Sequence, residues 1–392
     1  MGATNDIWPA VDQAVQAARE VLYNNMHGNY HGLPRTAGWG YPEPYTRDLL
    51  LSSLAALVTK DEELMASLRQ VLKSLAENLT PLGHVPSLAH NSEHLGASDT
   101  TPLFLVVVAM YRRVTGDKSF LEDAAQKALT WMEYRSPENC VMVDQQPTTD
   151  WRDEQWVCGY GLYVNALVYT YLKLFGKRKK ASSLYDLMHR FAVTSAERHR
   201  HVHRGLLLRH KPYFALWAFK EYSNERFDLM GNSLAILSGL AGPSRAENMV
   251  AWVEEECEHL RKHRDLAVDL PPCLFPYMQR GDPDYLGRVE RYNPPGCYCN
   301  GGVWPFICGL YVAAFVAAGK KRLAEEKLAV LTDLIRRGKN PDLEYGFNEW
   351  HQAQTAQPKG QDWQTWSAAL YIYAAECVRQ GSTPLFDEVR ES

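Results

Sequence analysis

Twelve segments of this chain carry helical periodicity, and they alternate strictly between two kinds. The segments fall at about 7–26, 46–59, 62–79, 99–115, 117–135, 159–176, 180–199, 227–241, 244–263, 300–318, 320–338 and 361–380. One kind is apolar nearly all round, as in RDLLLSSLAALV, TTPLFLVVVAMY, GLYVNALVYTYLKLF, FDLMGNSLAILSGL, GGVWPFICGLYVAAFVAA and WSAALYIYAAECV. The other is amphipathic and charged, as in KDEELMASLRQVLKSLAENL and KKRLAEEKLAVLTDLIRRG. A helix apolar on every side must be enclosed, and an amphipathic one covers it. Six of each, taken in turn, predict an all-α fold: an (α/α)6 barrel in one domain over 1–392, with inner helices wrapped by outer ones. The N-terminal helix supplies the last outer member. An open string of helical repeats is the alternative, but the spacing of the hairpins is too irregular for a fixed repeat.

Composition narrows the function. Hydrophobic residues make up 46% and charged residues 22%, which excludes wholesale disorder. The net charge of −4 argues against a nucleic-acid partner held by a basic face. The N-terminus MGATNDIWPAVDQAVQ has no basic n-region and no apolar h-region, so no secretory signal is read there. None of the eight cysteines forms a CxxC pair, and with no signal they are expected as reduced thiols in a cytoplasmic protein. The longest uncharged run lies between Arg291 and Lys320. It opens NPPGCYCNGG and carries Pro305, so it is expected as a buried core helix rather than a membrane span. The aromatic outer surface is compatible with a homo-oligomer.

The segments just before the apolar helices gather aromatics, Gly, Pro and carboxylates: GWGYPEPYTRD, HNSEHLGASD, TTDWRDEQWVCGYG, NERFD, ERYNPPGCYCNGGVW and GFNEWHQAQTAQPKGQDW. In a barrel with parallel inner helices these loops share one mouth, and turns such as VTGDKSF and AAGKKRL lie at the other end. A wet, aromatic, acidic mouth suits a sugar. Glycoside hydrolysis needs two carboxyl groups flanking the bond, one kept protonated and one ionised. The loops offer Glu43, Asp48, Asp99, Asp150, Asp153, Glu154, Asp228, Glu290, Glu349 and Asp362, and spacing alone does not choose among them. Asp48, Asp99, Asp228 and Asp362 each stand where an inner helix begins and are read first as N-caps. Trp39, Tyr41, Trp151, Trp304 and Trp350 are candidate sugar platforms, with packing as the competing role. Arg47 with Asp48 is either a clamp for sugar hydroxyls or an ion pair at a helix start. Gln364 and Trp366 open the last inner helix toward the pocket. His199, His201 and His203 alternate in ERHRHVHRG, but lack acidic or thiol companions and are read as a solvated arm; no metal or other cofactor is expected.

In these loops the chain resembles the alkaline/neutral invertases and related toroidal glucosidases. The pieces that carry the resemblance are SDTTPLFLVVVAMYRRVTGD, TTDWRDEQWVCGYGLYVNALVY, CYCNGGVWPF and GFNEWHQAQTAQPKGQDWQTWSAALYIYA. The resemblance implies an inverting glycosidase in which Asp153 is the general acid and Glu349 the general base, with Asp150 as the competing acid. It also makes Asn300, inside CNGGVWP, and Asp99, leading DTTPLF, candidate substrate contacts. Cys299 stands where the family usually carries His, so a sugar contact is expected to be lost or reshaped.

The expected activity is therefore hydrolysis of a small α-glucoside, sucrose first, with isomaltose-type or other α-linked oligosaccharides as the alternative. Two further classes stay open. A sugar 2-epimerase would work through histidines such as His84, His90, His94, His210 or His351. A non-catalytic sugar-binding toroid would use the same mouth without chemistry.

Overall fold

The alternation of the sequence becomes two concentric rings of helices. The computed structural model describes residues 6–136, 141–189, 205–208, 210–219 and 222–391. The outer helices are α1 (Trp8–Asn25), α3 (Glu62–Glu77), α5 (Glu122–Tyr134), α7 (Arg178–Met188), α9 (Pro243–Lys262) and α11 (Lys321–Ile335). The inner helices are α2 (Thr46–Thr59), α4 (Thr100–Thr115), α6 (Leu162–Leu174), α8 (Leu229–Ser238), α10 (Pro305–Ala317) and α12 (Thr365–Gln380). Each inner helix packs on the next, and α12 returns to α2, so the ring is closed. The (α/α)6 toroid expected from the alternation is the fold.

Burial follows the two sequence types. Every residue of α10 from Pro305 to Val316 is buried, whereas α3 buries a single stripe of Leu64, Leu68, Val71, Leu72 and Leu75. Asp61 caps α3 by accepting from the Leu64 amide at 3.1 Å, and Glu62 and Glu63 favour the positive end of its dipole. The outer helix α1 lies on α12 and seals the ring: the Asn25 amide donates to the Trp363 carbonyl at 2.8 Å and to Thr365 Oγ1 at 3.0 Å.

Several helices begin later than periodicity suggested. The helix expected at 300–318 starts at Pro305, because Tyr298 and Gly301 adopt positive φ in the turn before it. The one expected at 361–380 starts at Thr365, and the one at 117–135 starts at Glu122. The stretch 180–199 is helical up to Met188, and its last residues, with His199, His201 and His203, lie outside the described residues. A short helix not foreseen, α13 (Asp387–Glu391), packs against α8 and α6 at the end opposite the mouth, where Arg390 donates to the Leu237 carbonyl at 3.0 Å.

The strands are few and all belong to the mouth. β1 (Tyr160–Gly161), β2 (Trp217–Phe219) and β3 (Tyr222–Asn224) form an antiparallel sheet, β4 (Phe227–Asp228) pairs with β5 (Leu274–Phe275), and β6 (Trp350–His351) pairs with β7 (Pro358–Lys359). At the far end the turns are tight, with Gly116, Gly176, Gly239 and Gly319 at φ 67–79°. The seven described cysteines are free thiols. Among the described residues no helix is long and apolar enough to cross a membrane.

Candidate active site

Glu349 is held by the loop that enters α12. Its backbone amide donates to the Gln361 carbonyl at 2.9 Å, and its Oε2 accepts from the Gln361 amide at 3.1 Å. The β6–β7 hairpin begins one residue later, and Val303 and His351 exchange both backbone hydrogen bonds, tying that hairpin to the entry of α10. Gly360 makes room: at its φ of 74° a Cβ would stand 2.1 Å from Glu349 Oε2. Glu349 is only 6% exposed. Burial raises its pKa to about 7, while the Gln361 amide, the Gln364 side chain and the charge of Lys339 pull the other way.

Asp153 comes from a different wall, the loop into α6. Arg47 Nη1 lies 3.6 Å from its Oδ1, and the same guanidinium grips buried Asp99 through Nε at 2.5 Å and Nη2 at 3.2 Å. The Asp153 side chain is 60% open to solvent through the mouth, yet the crowded loops around it push its pKa up to about 6, against the pull of Arg47. Glu349 also feels the charge of Asp153. A third carboxyl, Asp48, is buried beside them and pushed up to about 8 by burial, with Glu349 and Asp153 adding to the rise. The Glu349 charge is likewise the largest cause that raises the Tyr41 phenol to about 12. Three carboxyls thus titrate near neutrality around one point.

Asp150 plays another part. It is 1% exposed, and both its oxygens are engaged: Arg152 Nη2 at 2.6 Å, Arg152 Nε at 3.2 Å, the Arg152 amide at 2.8 Å and Gln145 Nε2 at 3.1 Å. Burial alone would raise its pKa, but Arg152 overrides it and holds the carboxyl low. Arg152, itself buried, reaches on to Asp228 at 3.1 Å. This buried triad locks the loop that carries Asp153 onto the start of α8. It removes Asp150 as a candidate acid, since a low, fully paired carboxylate has no proton to give.

Other expectations are corrected by the packing. Of the four aspartates read as N-caps, Asp228 is one, accepting from the Gly231 amide at 3.2 Å. Asp48 sits inside the first turn of α2, and Asp99 stands at the cap position of α4 but gives its oxygens to Arg47. Asp362 accepts instead from the Lys339 and Asn340 amides and from Asn348. Arg47 pairs with Asp99 rather than Asp48, so the Arg47–Asp48 pair is not the unit here. Asn300 braces the backbone, accepting from the Met278 amide at 2.7 Å and donating to Met278 and Asn293 carbonyls, which leaves its amide no role toward a sugar. Trp304 is 2% exposed and donates to the Tyr298 carbonyl at 3.0 Å. Trp151 and Trp366 are equally enclosed around it, Trp366 stacking on Phe306 at 4.0 Å. These three rings support the pocket from beneath. Trp39 is half exposed, its ring tilted against that of Trp363 at 5.2 Å, and it does not line the cleft beside Glu349.

A cleft of about 580 Å³ runs from Glu349 outward past Tyr41, Tyr298 and Trp350 to Arg291 and Lys359 at the mouth. Near the mouth ends of the inner helices, Thr46 Oγ1, Trp151 Nε1, Trp366 Nε1 and Gln364 Oε1 are buried and have no hydrogen-bond partner within the protein. Buried polar atoms of this kind cost free energy until something polar satisfies them. Cys299 is fully buried with its thiol pKa raised by burial, so it offers neither the charge nor the reach of an imidazole. None of the five histidines of the epimerase alternative lines this cleft, and His351 is buried with its pKa lowered to about 4. Sequence reasoning missed Arg152, Tyr298 and Gly360. Arg152 lies between Trp151 and Asp153 in a stretch without periodicity, and its pairing with Asp228 is a long-range fact.

Residues 205–381 match the profile of the alkaline and neutral invertase family. Over those residues the chain is invertase-like. Alkaline/neutral invertase C, mitochondrial, of Arabidopsis thaliana is 24% identical over 156 residues, 40% of this chain and 22% of that protein. Cytosolic invertase 1 of Oryza sativa subsp. japonica is 28% identical over 152 residues, 38% and 25% of the two chains. The match thus spans about a quarter of the length of these curated relatives. Among solved structures, the mannosylglycerate hydrolase of Thermus thermophilus in complex with Tris and D-glycerate superposes with a TM-score of 0.63 at 16% identity, covering 92% of this chain and 99% of that one. A bacterial glucoamylase complexed with acarbose gives 0.64 at 12% identity, covering 99% and 58%. These likenesses show the toroid. The invertase match contains Glu349 and the CNGGVWP turn but not Asp153.

Proposed function

We propose that this protein is an inverting glycoside hydrolase acting on a small α-glucoside, with sucrose the first substrate to test, and that 1–392 works as one catalytic domain. The observation that carries the reading is the pair Asp153 and Glu349: two carboxyls from separate loops, within electrostatic reach of each other and both raised toward neutrality, with Glu349 lining the cleft and Asp153 next to Glu154, which lines it too. Asp153, outermost and next to Arg47, protonates the departing glycosidic oxygen. Glu349 takes a proton from water, whose oxygen attacks the anomeric carbon from the opposite face. The products are β-glucose and the free leaving group, and the two carboxyls exchange their protonation states through solvent before the next turnover. Inversion requires roughly 6.5–9.5 Å between the carboxyls, to seat the water.

Time-resolved proton NMR of sucrose, maltose and isomaltose hydrolysis tests this. Release of β-glucose first, abolished in Asp153→Asn and Glu349→Gln, is the expected result. Release of α-glucose would overturn inversion, and conversion that conserves the disaccharide, with no glucose released, would return the epimerase. The order of the two pKa values favours a second reading with the roles exchanged, Glu349 as acid and Asp153 as base. An activated substrate such as α-glucosyl fluoride, which needs no acid, separates the two. It restores turnover to Asp153→Asn in the first reading and to Glu349→Gln in the second.

A further inference from the structure

The cleft has a charge pattern that hydrolysis of a neutral disaccharide does not require. Its inner end carries Glu349, 6% exposed, and behind the lining rings of Tyr298 and Trp350 pack the buried ring of Trp304 and then those of Trp151 and Trp366. A glycosyl ring entering the cleft therefore goes inward, and the leaving group remains outward, where Arg291 is exposed and Lys359 half-buried. Elsewhere the chain pairs many of its surface cations with acids, as in Arg280–Glu290, Lys262–Glu258 and Arg379–Asp12. Among the described residues neither Arg291 nor Lys359 has a carboxylate within ion-pair distance, and the Lys359 ammonium donates to no protein acceptor. The Arg291 guanidinium lies over the Tyr292 ring at 5.7 Å. The charge of Lys359 reaches the Cys297 thiol in the same cleft. The acid that lines this outer part is Glu154, so the cations outnumber it.

From this we infer that the outer end of the cleft selects a glucoside whose leaving group carries an anion, a carboxylate or a phosphate. The inference rests on the hydrolase reading above and names the substrate class of that site. An anionic leaving group approaching Asp48, Asp153 and Glu349 is repelled wherever they are ionised. Two unpaired cations at its far side offset that repulsion, and Arg adds a planar fork that fits either oxyanion. A neutral leaving group gains nothing from them.

The experiment compares pairs that differ only in charge: sucrose with sucrose phosphorylated on the fructosyl C6, and α-glucosylglycerol with α-glucosylglycerate. The expected result is a kcat/KM about 10- to 100-fold higher for the anionic member of at least one pair, the size of one or two charge-assisted hydrogen bonds. The pair with the larger ratio identifies phosphate or carboxylate as the source. In the double variant Arg291→Gln, Lys359→Gln that ratio falls to near one. Equal kcat/KM within both pairs, or a ratio unchanged in the variant, overturns the inference while leaving hydrolysis intact. If no member is hydrolysed, it is the hydrolase reading that fails. Calorimetric binding of fructose 6-phosphate and glycerate against fructose and glycerol then decides the anion site alone: anion binding lost in the variant supports it, and no preference for the anions overturns it.

Discussion

The two ends of the toroid are built from the same helices but obey different rules. At the far end the connections are short, glycines take left-handed φ, those at 116, 176 and 319 in open space, and α13 covers α8 and α6. At the mouth the connections are long, and three carboxyls are held near neutrality. Among the described residues, the large hydrophobic side chains exposed in the mouth loops include Trp39, Trp156, Tyr222 and Tyr292. One end minimises free energy locally; the other keeps groups in states they would not choose in water. Within the mouth the contrast recurs on a smaller scale between Asp150 and Asp153. Three positions apart, one is sealed in a triad with a lowered pKa, and the other is left half-free with a raised one.

The largest effect that tests this contrast is on turnover. Asp153→Asn and Glu349→Gln are each expected to lower kcat by about 10²–10⁴-fold. Asp153→Asn should leave the urea midpoint nearly unchanged, within about 0.5 kcal/mol. A large loss of stability there would mean that Asp153 is a structural residue like its neighbour. Asp150→Asn should do the reverse in kind, destabilising by about 3–5 kcal/mol because it leaves Arg152 buried with one partner fewer. Equilibrium urea unfolding measures it.

The pH profile sharpens the pair. The acid must hold its proton, so activity falls as pH rises past its pKa; the base must be ionised, so activity falls as pH drops below its own. With values of about 6 for Asp153 and about 7 for Glu349, kcat/KM should peak between them and decline about tenfold per pH unit on either side. An optimum near pH 4, with activity already lost at neutrality, would show that the carboxyls are not raised. The smallest effect belongs to the other end. Gly319→Ala, at φ 75° with no atom near the new methyl, should cost about 1 kcal/mol in stability and leave kcat/KM untouched.

The rings were legible because burial leaves a periodic trace: a helix enclosed like α10 must be apolar all round, and one like α3 only along a stripe. The site was legible only in part. Glu349 and the CNGGVWP turn stood out through the family resemblance, and loop position alone brought Arg47, Asp48 and Asp99 to the mouth. Their pairing did not show, because Arg47 reaches Asp99 across 52 residues and Arg152 reaches Asp228 across two helices. Nor did burial distinguish Trp304 and Asn300, which support the pocket, from Trp350, which lines it. A side chain's role in a loop depends on what the next wall brings, and no local pattern encodes that.

The seam between α1 and α12 has a consequence for the newborn chain. Asn25 belongs to α1, yet its partners Trp363 and Thr365 are made 338 and 340 residues later. Such distant contacts form late, and the last hairpin to dock is the one that brings Glu349. On the proposed reading of the site, a chain interrupted before that moment lacks the second carboxyl of the pair. On that reading completion of the ring and onset of catalysis are one event, and a truncated product is expected to be silent rather than merely weak.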